Sequence, residues 1–106
     1  METIAVVLSA MYKKNGAIKM ATDEDFFITE GYQHVRFVPE VGWCGITPML
    51  FTTGVFIDLD EVGPRQGRYC FSEWAEAVHF LKHWDGVKEP TKEDGLTANK
   101  RFKFDE

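Results

Sequence analysis

The stretch Ser72-Glu73-Trp74-Ala75-Glu76-Ala77-Val78-His79-Phe80-Leu81-Lys82-His83-Trp84-Asp85-Gly86 decides the fold. Trp74, Ala77, Val78, Leu81 and Trp84 recur at spacings of three and four, which draws one apolar stripe on a helix. Glu73, Glu76, His79, Lys82 and His83 fall largely off that stripe. Ser72 is placed as N-cap, and Glu73 and Glu76 stand in the first turn, where the helix dipole favours acids. Asp85-Gly86 supplies the stop, with glycine suited to a left-handed position. The spacing therefore predicts a helix over Glu73 to Trp84. Its stripe needs an apolar partner surface, at roughly 1.5–3 kcal/mol for each large side chain buried.

That surface is read on the N-terminal side of the helix. Thr3 to Lys13 mixes β-branched and aliphatic residues and predicts a strand covered on both sides. Asn15-Gly16 favours a hairpin turn, with Ala17 to Met20 as the return strand. Thr22 and Asp23-Glu24-Asp25 suggest a single helical turn, too short to stand alone. Phe26 to Thr29 is apolar and closes on a turn at Glu30-Gly31. Tyr32 to Val38 reads as a strand, with Gln33, Val35 and Phe37 on one side and Tyr32, His34, Arg36 and Val38 on the other, ended by Pro39. Val41-Gly42-Trp43-Cys44-Gly45, with glycines framing Trp and Cys, predicts a bulge or tight loop. Met49 to Leu59 is apolar with a bend at Gly54. Glu61 to Gln66, containing Gly63-Pro64, is a turn, and Gly67 to Phe71 is the last strand of this region.

These elements give an α+β class: an antiparallel β-sheet with one C-terminal amphipathic helix packed on one face. The expected organisation is a single domain over residues 1–86 and a charged C-terminal tail over residues 87–106. Phe102 and Phe104, spaced by two, allow a short strand at its end.

The 106 residues carry 12 Lys and Arg against 17 Asp and Glu, a net charge of −5. With 14% aromatic residues, the chain has enough apolar surface to fold rather than stay disordered. An acidic balance argues against a sequence-independent nucleic-acid binder. The longest apolar-leaning run, Thr3 to Met11, is far short of a membrane span of roughly 20 residues. Met1-Glu2 lacks the positive start of a secretory leader, so the expected location is the cytoplasm. Cys44 and Cys70 are read as two reduced thiols, with a bridge open only if their strands are neighbours.

Several constellations carry possible chemistry. Asp58, Asp60 and Glu61 cluster at a strand end, a carboxylate pattern that suits a hard cation or a soluble turn. His79 and His83, four apart, present two rings but need a third metal ligand. Cys44 beside Trp43 has no basic neighbour to activate it. Arg65, Arg68 and Tyr69 flank the Gly63–Gly67 turn, where an anion is one reading and solvated arginines the other. Phosphate-loop, Cys-x-x-Cys, Gly-x-Ser-x-Gly and His-Glu-x-x-His patterns are absent. No cofactor and no metal is expected.

Gly42-Trp43-Cys44, Phe51-Thr52-Thr53-Gly54, Asp58-Leu59-Asp60, Gly67-Arg68-Tyr69-Cys70-Phe71, Trp74-Ala75-Glu76-Ala77 and Trp84-Asp85-Gly86 together resemble a family of small uncharacterised proteins encoded by bacteriophages and prophages. The likeness spans Gly42 to Gly86. It departs at Val87-Lys88-Glu89-Pro90, where the family continues with a Pro/Gly-rich segment ending in Trp. The resemblance implies a phage setting, in which small acidic domains bind and modulate host proteins, and it brings no catalytic residues with it.

The expected function is therefore that of a small acidic phage-type accessory protein, non-enzymatic, binding a host or defence protein in the bacterial cytoplasm. The candidate partner-binding residues are Asp23, Glu24, Asp25, Trp43, Asp58, Asp60, Glu61, Arg65 and Arg68. The alternative is a small-ligand or nucleotide-processing domain using Asp58, Asp60 and Arg68. A homodimer is the third option for the surface.

Overall fold

A computed structural model describes residues 21–102 of the chain. The expected strand Thr3–Lys13, the Asn15-Gly16 turn and the return strand to Met20 lie outside the described residues. Among the described residues five strands form one antiparallel sheet in chain order: β1 (Gln33–Val38), β2 (Gly42–Pro48), β3 (Thr53–Ile57), β4 (Gly67–Phe71) and β5 (Leu96–Arg101). Helix α1 (Ala21–Thr29) precedes β1, and helix α2 (Trp74–His83) lies between β4 and β5. A single 3-10 turn, Lys92–Asp94, leads into β5. The α+β class read from the sequence is the class of the structure. The main helix is followed by a strand, however, so it is an internal element connecting two adjacent antiparallel strands rather than a terminal one.

Strand periodicity sorts the residues onto two faces. On one face Val38, Cys44, Ile46, Val55, Ile57, Tyr69 and Phe71 are buried together with Ala77, Leu81 and Trp84 of the α2 region. This is the stripe expected at spacings of three and four. Phe80, three after Ala77 and four before Trp84, widens it. Its ring centroid lies 5.2 Å from those of Phe71 and Trp84 and 5.7 Å from that of Tyr69. On the opposite face Phe27, Trp43 and Leu59 form a second cluster, with Tyr32, Val35, Phe37 and Phe56 packed against it. The alternation read in Tyr32–Val38 holds from Val35 to Val38, with Val35 and Phe37 on one side and Arg36 and Val38 on the other. Tyr32, expected on the side of Arg36 and Val38, packs instead on the side of Val35 and Phe37. An irregularity between Gln33 and Arg36, where His34 has φ +52°, interrupts its pairing with β2.

Three local expectations change. The segment Thr22–Asp25 does not end after one turn: α1 runs through Thr29, and Thr22 lies inside it. Packing of Phe27 on Trp43, at 6.0 Å between rings, supplies the tertiary support that a short helix lacks by itself. The Gly-Trp-Cys-Gly segment is part of β2, not a loop. Gly45 sits within the strand because a Cβ there would lie 2.7 Å from the Tyr32 Cβ, so the position needs a missing side chain rather than a break in pairing. Gly54 likewise lies in β3, opposite Thr47 and Cys70.

The charged segment after Gly86 also contributes to the sheet. β5 pairs with β4 from Gly67↔Arg101 to Phe71↔Leu96. The strand ends at Arg101, ahead of Phe102; Phe104, the other member of the pair on which a terminal strand was expected, lies outside the described residues. Arg101 fixes its end. The guanidinium donates to the Tyr69 hydroxyl at 2.6 Å and to Gln66 Oε1 at 2.7 Å, and lies 5.6 and 5.5 Å from the Tyr69 and Trp84 ring centres. Cation–π attraction and charge-assisted hydrogen bonds thus hold an otherwise polar strand against the core.

Both ends of α2 are closed by side chains. Glu73, not Ser72, occupies the N-cap position. Ser72 Oγ and the Glu73 amide both donate to Glu76 Oε1, at 2.7 and 3.1 Å. At the other end Arg36 reaches across from β1 and donates to the Leu81 and Trp84 carbonyls at 2.6 and 2.7 Å. A cation at a helix C-terminus satisfies orphan carbonyls and meets the favourable end of the dipole. Arg36→Met keeps the apolar stem and removes both bonds. Urea denaturation is expected to show a loss of about 1.5–3 kcal/mol, with a lower midpoint and an unchanged slope.

Candidate functional site

The site grows from the loop that joins β3 to β4. Asp58 leaves β3 with φ +62°, a left-handed conformation that Asp tolerates better than most residues. The chain then folds back on itself. Asp60 Oδ1 accepts the Val62 and Gly63 amides at 2.8 and 3.0 Å, closing an Asx turn. The Asp58 carbonyl accepts the Arg65 amide at 2.9 Å, and Asp58 Oδ2 accepts Gln66 Nε2 at 3.1 Å. The Leu59 amide donates to the Trp43 carbonyl at 2.8 Å, which ties the loop to the start of β2. Arg65 Nε stands 3.7 Å from Asp60 Oδ2 with both side chains well exposed, an ion pair worth at most about 1 kcal/mol.

Against this loop lie α1 and the β1–β2 turn, and between them opens a cleft of about 690 Å³. Its lining includes Phe26, Phe27, Phe37 and Trp43 as aromatic walls and Leu59 beside them. Phe37 meets Trp43 edge to face at 5.5 Å, and Phe26 meets Phe27 in the same way at 5.4 Å. Asp23, Glu40, Asp58, Asp60, Glu61 and Arg65 supply the charged part of the lining. Carboxylates therefore outnumber the guanidinium, over an apolar aromatic floor.

Of the residues singled out from the sequence, Asp23, Trp43, Asp58, Asp60, Glu61 and Arg65 are brought together here. Glu24 and Asp25 are exposed on α1 and do not line the cleft. Arg68 lies elsewhere: from β4 its guanidinium sits 5.9 Å from the Phe56 ring centre, and its Nε is buried with no hydrogen-bond partner. The grouping of Asp58, Asp60 and Arg68 around one cleft is thus not formed. Glu40 and the Phe26-Phe27 pair were not singled out. Their signal was weak, being a lone acid after Pro39 and two consecutive rings without helical spacing.

The remaining reactive groups sit apart. The His79 and His83 rings lie tilted against each other with centroids 4.6 Å apart, while His34 lies 5.8 Å from the Trp74 ring. Among the described residues no group of three or more His, Cys, Asp or Glu is placed to hold a metal ion. Cys44 and Cys70 are free and buried. They lie on β2 and β4 with β3 between, a spacing of roughly 9–10 Å that exceeds disulfide reach. Burial pushes the Cys44 thiol up from 9.0 to about 12, so it stays protonated and unreactive at neutral pH. Among the described residues the cleft lining contains no His, Cys, Ser, Thr or Lys. Among the described residues no helix is long and apolar enough to cross a membrane.

No family model, no curated protein and no solved structure matches the chain.

The Cys44 thiol gives a pH signature. Its folded value lies above its unfolded one, so the stability it confers is complete below about pH 9 and is lost as pH rises towards about 12. Denaturation midpoints measured from pH 8 to pH 11 are expected to fall with pH. The fall is expected to be shallower in Cys44→Ala, although that variant starts from a lower stability because of the cavity it creates.

Proposed function

We propose that the chain is a small, non-enzymatic accessory protein that binds and modulates a bacterial host or defence protein through the acid-rimmed aromatic cleft. The observation that carries this reading is the cleft itself, in which Trp43, Phe37, Phe27 and Phe26 stand beside Asp23, Glu40, Asp58, Asp60 and Glu61. Aromatic side chains supply most of the energy of protein interfaces, and charges around them select the partner and speed encounter. A nucleotide suits this lining poorly, because its phosphates would face carboxylates with Arg65 as the one cation among the described lining residues, itself beside Asp60. The phage setting rests on the resemblance carried by Gly42–Gly86, and the cytoplasmic location goes with it.

Affinity capture from bacterial lysate is the test, with wild-type chain and a Glu40→Arg/Glu61→Arg variant as paired baits. Both substituted side chains are exposed, so the variant is expected to keep its melting temperature. The expected result is one protein retained in stoichiometric amount by the wild type and lost by the variant. Equal retention by both baits, or no stoichiometric protein under any condition, contradicts the proposal.

A further inference from the structure

The charges of the cleft are not equivalent, and the difference identifies what it takes. Asp60 has both oxygens engaged, one by the Val62 and Gly63 amides and the other by Arg65. Asp58 is held by Gln66. Glu40 and Glu61, by contrast, are exposed and have no hydrogen-bond or ion-pair partner among the described residues. They come from two different turns, the β1–β2 turn and the β3–β4 loop, and line the same cleft as Trp43 and Phe37.

Two unspent carboxylates over an aromatic floor complement a side chain that is apolar along its stem and cationic at its tip. Ring faces attract the cation, and arginine gains more than lysine because its planar guanidinium stacks on aromatic surfaces and forks onto carboxylates. We infer that the cleft is a docking site for an arginine-bearing segment of the partner protein, whose guanidinium lies over the aromatic floor between Glu40 and Glu61. This rests on the protein-binding reading above and adds the chemistry of the occupant.

The probe is a set of blocked pentapeptides, Ala-Leu-Xaa-Leu-Ala, with arginine, lysine, citrulline or glutamate at the centre. They are titrated into the isotope-labelled full chain while amide and indole shifts are followed by NMR. The arginine peptide is expected to move the Trp43 indole and the Glu40 and Glu61 amides. The citrulline peptide, of the same shape without charge, is expected to bind roughly threefold to tenfold more weakly, and the glutamate peptide not at all. A Glu40→Gln/Glu61→Gln variant is expected to reduce arginine binding towards the citrulline level while leaving citrulline binding unchanged. Equal binding of the arginine and citrulline peptides, shifts that map away from Trp43, or no shift at millimolar peptide overturns the inference. If cleft-dependent capture from lysate succeeds while arginine has no advantage, only the cationic occupant is wrong. If the arginine peptide binds as described while capture fails, the occupant stands and the host-protein reading falls.

Discussion

The close approach of Gly42 to Asp58 is the constraint on which the cleft depends. Gly42 has φ +124°, and a Cβ there would lie 2.7 Å from Asp58 Oδ1, so only glycine lets the two strand ends come together. Asp58 is itself in a left-handed conformation. The surrounding bonds hold it there, with its carbonyl and carboxylate both engaged by the returning loop. From that point Leu59 packs with Trp43 and Phe27, and Asp60, Glu61 and Arg65 are placed around the opening. A strand that simply ended at Ile57 would leave Trp43 without its wall.

The two faces of the sheet divide the labour. The α2 face is a deep apolar core, with Tyr69, Phe71, Ile46 and Leu81 fully buried and cations drafted in to satisfy what apolar groups cannot. Arg36 caps the helix, and Arg101 binds Tyr69 and Gln66 from the last strand. The opposite face is shallower and mixes rings with charge: Phe27, Trp43 and Leu59 are buried, but Phe26 remains 42% exposed. The deep apolar core lies on the first face, and the proposed recognition cleft lies on the second. Substitutions at the exposed rim are therefore expected to have little effect on folding.

How far the sequence could be read follows from the same division. The α2 stripe was legible because its apolar residues recur at helical spacing and its partner face is a regular sheet. Helix α1 was not, because Phe26-Phe27-Ile28 are consecutive and draw no stripe; docking of Phe27 on Trp43 makes it a helix. The glycines at 42 and 45 read as breakers, whereas each marks a close approach, one to Asp58 and one to Tyr32. Leu96–Arg101 has too few apolar residues to announce a strand, and its hold on the sheet comes from the ladder with β4, from Leu96 against the core and from Arg101. At the site, the local cluster Asp58, Asp60 and Glu61 was visible as a turn. The contributions of Asp23 and Glu40 depend on tertiary placement. Arg68 was misjudged because strand alternation puts it on the sheet face of the cleft but beside Phe56, where it does not line the opening.

The central claim is that the cleft is preformed by the folded-back loop, and residue-resolved amide hydrogen exchange on the unliganded chain tests it directly. The Leu59, Arg65 and Gln66 amides are bonded to the Trp43, Asp58 and Ile57 carbonyls. They are expected to exchange slowly, with protection approaching that of the central strand amides. Exchange of those three amides at free-chain rates, with β3 and β4 still protected, would contradict the account, because the wall of the cleft would then form only when something binds.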